Sequence, residues 1–406
     1  MVRKRRAHRM VAVLMIMYFT VFTEPSNDPF DDFNVPFRLP YGRDDEFRGR
    51  EEILRQMDGR LRNPSQETRR RAVVLYGTGG AGKTEIAVEY AYIYRTKYTS
   101  IFWIDCSSQS EIYRHFWKAA DRLVKHYQQA HKGQKNYIEI AAHLRLVNLI
   151  DENGSLSTAS QHSGQIVNAV KEWISDDRNH QWLLVFDNYD DIDSFTLQDY
   201  VPESPQGSII ITSRRRDLNI ISFGIEVEEM GMEEALEVFV AAARLSEERR
   251  VEGKVPQVLL SIYLMLTDGS EHKVAKTLMD KLGRLPMAVR IAGSYIHASG
   301  LTSEQYLDMY TKDSSIMLEQ HRSREWGDRK YSNATVLATW ELSFAAIVQK
   351  APKAAELLQL LAFLAKDDIW DDLLLLGSNI PKGGKLFHRV SRQIVCPAHN
   401  MNRCDH

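Results

Sequence analysis

Through the first half of the chain, short unbroken apolar runs alternate with longer amphipathic stretches. The runs are Ala72-Val73-Val74-Leu75-Tyr76, Ile101-Phe102-Trp103-Ile104-Asp105, Trp182-Leu183-Leu184-Val185-Phe186 and Ser208-Ile209-Ile210-Ile211-Thr212, with a short fifth at Ile225-Glu226-Val227. Apolar strands that do not alternate are buried on both faces, and helices between them imply a parallel sheet covered on both sides. A helix is predicted from Glu51 to about Leu61, with Glu51 and Glu52 in the first turn, where the helix dipole favours acids. Ile86, Ala87, Tyr90, Ala91 and Tyr94 recur at helical spacing within a helix predicted over 85–98. Residues 107–180 read as mostly helical, broken by the polar stretch 151–164. From Met232 onward the pattern is helical throughout, over 233–245, 255–266, 272–282, 287–298 and a block from about 337 to 365. Pro286 suits the first turn of its helix. The fold class is therefore α/β, with an all-α region after it. Residues 24–46 read as an extended lead-in, and the tail from Gly377 has no period.

Residues Gly77, Thr78, Gly79, Gly80, Ala81, Gly82, Lys83 and Thr84 spell G-x-x-x-x-G-K-T between the first strand and its helix, the context a phosphate-binding P-loop requires. Its glycines allow the backbone to turn N–H groups inward as a nest for phosphate oxygens, and the helix N-terminus adds partial positive charge. Lys83 is expected to reach the β- and γ-phosphates and the Thr84 hydroxyl to bind Mg²⁺. Asp187, at the end of the third predicted strand, is the expected second Mg²⁺ anchor. Asn188 follows it, and an amide is no general base, so hydrolysis is expected to be slow. Asp190 and Asp191 are less direct candidates for orienting water. Thr212-Ser213-Arg214-Arg215-Arg216 ends the fourth strand, where side chains point into the ligand crevice of an open α/β sheet. Arg214 is the candidate γ-phosphate reader, since a guanidinium grips phosphate bidentately. Arg215 and Arg216 are read as a solvated basic turn.

The 406 residues predict two or three domains, and 44% hydrophobic with 26% charged residues is ordinary for a soluble globular protein. A net charge of −2 provides no basic field, so no nucleic-acid partner is expected. Three cysteines form no disulfide framework, which suits a reducing compartment and a cytoplasmic assignment. Against this, basic residues up to Arg9 precede the apolar run 10–22, a signal-like leader too short to span a bilayer and without a small-residue cleavage site. Cys396, His399, Cys404 and His406 crowd the C-terminus, but their spacing matches no standard zinc site.

The segments F-R-G-R-E-E-I-L at 47–54, the P-loop, I-F-W-I-D-C at 101–106, L-L-V-F-D-N-Y-D-D at 183–191, I-I-I-T-S-R at 209–214, G-R-L-P-M-A at 283–288 and A-T-W-E-L-S-F at 338–344 together resemble the NB-ARC subfamily of STAND signal-transduction P-loop NTPases, most closely fungal NLR-like proteins. The resemblance implies an ADP-bound resting state, exchange to ATP with Mg²⁺, and then self-association or association with NLR-like relatives, in self/non-self recognition or programmed cell death. It places Arg50 and Pro286 against the adenine, and Arg214 on the γ-phosphate. The implied layout is a lead-in at 1–44, a P-loop domain at 45–228, a helical domain at 229–325, a partial winged helix at 326–376 and an irregular tail at 377–406. The histidine that the family's winged helix places on ADP has only His388 as a counterpart. With no sensor repeat and no effector segment in the sequence, the chain is expected to be a fragment or truncated product. Two rival functions stay open: an ATP-driven remodeller or nucleic-acid motor, and an inactive remnant or decoy that binds full-length relatives.

Overall fold

A computed structural model describes residues 29–62, 71–131, 136–220, 223–243, 269–321 and 330–362. The leader, the helix expected over 255–266, His388 and the C-terminal Cys/His cluster lie outside the described residues.

Strands β1 (Ala72–Tyr76), β2 (Ser100–Asp105), β3 (Trp182–Asp187), β4 (Ser208–Ser213) and β5 (Phe223–Glu226) form one parallel sheet in the order β2-β3-β4-β1-β5. Every residue of the first four strands is buried, as their unbroken apolar character requires. Successive side chains part to opposite faces. Val74, Phe102, Ile104, Leu184 and Phe186 pack with α3 (Gln109–Ala130), α4 (Tyr137–His143) and α5 (Ser163–Ile174). Val73, Leu75, Ile101, Trp103, Leu183 and Val185 pack with α1 (Glu51–Arg62) and α2 (Lys83–Ile93). The sheet edge at β5 is short and partly exposed, which limits its use as a template for foreign strands.

The lead-in is extended, as expected, but it is strapped to the domain. Phe33 and Val35 join the core, with Phe33 5.3 Å from Trp173. Arg43 makes a bidentate pair with buried Glu89, at 2.7 and 3.1 Å. The helix expected to reach Tyr98 ends at Ile93 and gives way to a 3-10 turn at Arg95–Lys97.

Helices α6 (Met232–Ala242), α7 (Gly269–Lys281), α8 (Pro286–Ser299), α9 (Ser303–His321), α10 (Lys330–Lys350) and α11 (Pro352–Leu361) follow the sheet. Phe239, Leu278, Val289, Tyr306 and Leu342, one from each of α6 to α10, share a second apolar core. The α8/α6 crossing is close: a Cβ on Gly293 would lie 2.7 Å from that of Ala242. Helix α9 is an element that the helical patterns above did not include. Its start carries a reciprocal cap, Gln305 N–H donating to Thr302 Oγ1 at 3.2 Å and Thr302 N–H to Gln305 Oε1 at 2.9 Å. That T-x-x-Q signal was present in the sequence. Among the described residues no helix is long and apolar enough to cross a membrane.

Candidate functional site

The site lies at the carboxyl ends of the strands, where open α/β sheets bind ligands. Because β4 is inserted between β1 and β3, the chain after β1 and the end of β3 face each other across the end of β4. Gly79, Gly80, Ala81, Gly82, Lys83, Thr84, Arg50, Arg214 and Pro286 all line one cleft of about 1080 Å³ between the sheet and the helices after it. Gly77 and Thr78 do not line it and are joined to it through Lys83. Lys83 Nζ donates to Gly77 O at 2.9 Å and to Thr78 O at 2.7 Å. Gly77 has φ +152, and a Cβ there would sit 2.4 Å from the Val227 carbonyl, so the turn out of β1 accepts glycine alone. Gly82, in a left-handed conformation, caps the start of α2.

Lys83 is half-buried among dipoles with no carboxylate in contact. Desolvation lowers its pKa to about 8, opposed by Asp190 and Asp187 and reinforced by Arg214. Thr84 Oγ1 donates to Asp187 Oδ1 at 2.8 Å, and Thr212 Oγ1 donates to the same oxygen at 2.5 Å. Asp187 is only 2% exposed, and these two hydroxyls help to hold its carboxylate in place. Asn188 adopts φ +64 and donates its N–H to Thr212 Oγ1 at 2.9 Å. The residue after Asp187 thus carries an amide in a left-handed turn.

Arg50 also lines the cleft. Gly49 and Arg50 both have positive φ, which turns the Arg50 side chain under the P-loop. Its Nη2 donates to Glu228 O at 2.9 Å and to Ala81 O at 3.3 Å. Burial lowers its pKa, with Glu234 opposing. Its Nε is buried without a hydrogen-bond partner, a donor left over for an acceptor in the cleft. Glu234 was missed in the sequence. It accepts the Arg50 N–H at 2.9 Å and the Gly231 N–H at 3.0 Å, tying the P-loop domain to the first turn of α6. A glutamate three residues after the helix boundary was the available signal. Pro286 opens α8 and packs over the P-loop, 3.6 Å from where a Gly82 Cβ would be. Arg290, one turn on, pairs with Asp44 of the lead-in.

Arg214 is half-exposed and paired with Asp190, which accepts its Nε–H and, at 2.6 Å, its backbone N–H. Arg215 pairs with Asp217 and Arg216 with Glu226, so both are surface cations with their own partners. Among the described residues no group of three or more His, Cys, Asp or Glu is placed to hold a metal by itself.

The residues present fit a nucleoside polyphosphate with its divalent cation. Lys83 is a desolvated ammonium with only carbonyls to bind, Thr84 and Asp187 offer neighbouring oxygens of the hard type Mg²⁺ prefers, and Arg50 has a spare buried donor.

Residues 46–199 match the family described as AAA ATPase domain. The chain is similar to a nucleotide-binding leucine-rich repeat (NLR)-like protein of Hyaloscypha variabilis, 25% identical in an alignment 358 residues long that covers 82% of this chain. The chain spans 31% of that relative's length. Among solved structures, the Walker-type ATPase PABY2304 of Pyrococcus abyssi matches with a TM-score of 0.37 and 13% identity, over 71% of this chain and 78% of that one. Cdc6p from Pyrobaculum aerophilum matches with a TM-score of 0.31 and 14% identity, over 73% of this chain and 66% of that one. The family match and the relative support an NLR-like P-loop NTPase.

Proposed function

We propose that this NLR-like P-loop NTPase is a molecular switch set by ADP and ATP. It rests with ADP bound, exchanges it for ATP, and then associates with itself or with NLR-like relatives, in a cytoplasmic pathway of self/non-self recognition or programmed cell death. Lys83 and the P-loop N–H groups hold the β-phosphate, Arg50 and Pro286 flank the base, and Arg214 reads the γ-phosphate. Thr84 and Asp187 hold Mg²⁺, which when bound neutralises phosphate charge. The working units are a P-loop domain at 45–228, a helical domain at 229–325 and a further unit opening at 326.

One observation carries this reading: Lys83 and Thr84 line a cleft together with Pro286 and Arg214, and Asp187 stands behind Thr84, hydrogen-bonded to its hydroxyl. Asn188 favours a switch over a motor, because its amide takes no proton from an attacking water and turnover is left slow. A reader that touches the third phosphate gives the two nucleotides different affinities for two conformations, as a switch needs.

Lys83→Ala tests the assignment. It removes the phosphate-pairing charge, and the expected outcome is loss of ADP retention on gel filtration with the circular dichroism spectrum unchanged. ADP affinity equal to that of the wild type refutes the role given to Lys83.

A further inference from the structure

Asp190 is bound on every side by groups of the cleft. Its Oδ1 accepts the Arg214 backbone N–H at 2.6 Å and the Ser213 hydroxyl at 3.1 Å, and its Oδ2 accepts Arg214 Nε–H. Its side chain is 18% exposed, whereas that of Arg214 is 53% exposed. The aspartate is therefore the fixed member of the pair and the arginine the movable one. Asp190 is also the strongest anionic influence on Lys83. Asp190 thus bonds one of the two cations that face a nucleotide's phosphates and acts on the other through space.

We infer that Asp190 sets the preference of this site for nucleoside diphosphate over triphosphate, by holding Arg214 until a third phosphate competes for it. The inference rests on the nucleotide reading above. With a diphosphate bound, the Arg214–Asp190 pair stays intact. To grip a third phosphate, Arg214 must leave Asp190, so triphosphate affinity is reduced by whatever the pair is worth. The pair combines a charge-assisted side-chain bond with a backbone anchor, but it is half-exposed, which keeps it weak enough to exchange.

Asp190→Asn separates the two contacts. The amide oxygen still accepts from Ser213 and the Arg214 N–H, while the charge that holds the guanidinium is gone. In the full chain, with Mg²⁺, affinities for ADP and for the imido analogue of ATP are measured by isothermal titration. The expected result is a gain of about fivefold in analogue affinity relative to ADP affinity. In an Arg214→Gln background the same substitution gives no gain. Arg214→Gln alone, at an exposed side chain, weakens the analogue more than it weakens ADP. An unaltered preference in Asp190→Asn, a gain that persists without Arg214, or an Arg214→Gln protein with wild-type analogue affinity each overturns the inference. Wild-type protein that binds neither nucleotide instead overturns the nucleotide reading itself.

Discussion

Lys83 is a half-buried cation held by two carbonyls, and its titration gives the site a pH signature. Desolvation first, and Arg214 after it, lower its pKa to about 8, while Asp190 and Asp187 work against them. In the unfolded chain the value is 10.5, so between these limits the unfolded state holds more protons and the free protein gains stability as pH rises. Nucleotide works the opposite way. A bound polyphosphate favours the charged lysine, so binding above about pH 8 takes up a proton. ADP affinity is expected to fall as pH rises past that value, by up to about tenfold per unit. Titration calorimetry in two buffers of different ionisation enthalpy reads the uptake directly, and a flat affinity profile contradicts the assignment. At this scale the P-loop, Asp187 and Arg214 were legible because each is a short pattern at a strand end. Their partners were not. Glu234 meets Arg50 across 184 positions and Arg290 meets Asp44 across 246, distances over which only the tertiary fold brings residues together.

At the level of elements, β1 to β4 were legible to within a residue at each end, because burial on both faces leaves an unbroken apolar run. Strand β5 was shifted, since an edge strand half-open to solvent has no such run. Helix α9 escaped because its apolar face is interrupted; Tyr306 and Tyr310 alone are buried in its described part. Its signal lay in the Thr302/Gln305 cap and not in periodicity. The α8/α6 crossing depends on one residue. A side chain at 293 meets Ala242 Cβ at 2.7 Å and the Phe239 carbonyl at 3.0 Å, with the Ala243 N–H equally close. Neither helix can retreat without opening the second core. Gly293→Val is expected to cost about 2 kcal/mol or more in denaturant unfolding. A change below the error of the extrapolation would mean that the helices are not in close contact.

Over the whole molecule, the cleft is lined by the P-loop side and by the helices that follow the sheet. Pro286 and Val336 from the helical side sit over the P-loop glycines, and the Arg290–Asp44 pair fastens α8 to the lead-in. Arg290→Ala removes the fastening without touching the P-loop. ADP release, followed by stopped-flow with a fluorescent analogue, is expected to speed up about threefold, the scale of a half-exposed pair. Release at the wild-type rate would mean that the pair does not restrain the cleft. Whether this cleft holds ADP at rest is tested by purifying residues 24–406, denaturing them and identifying the released nucleotide by chromatography. The wild type is expected to release ADP in near-stoichiometric amount and Lys83→Ala none. Folded wild-type protein that releases no nucleotide, and that binds none when it is added, would contradict it.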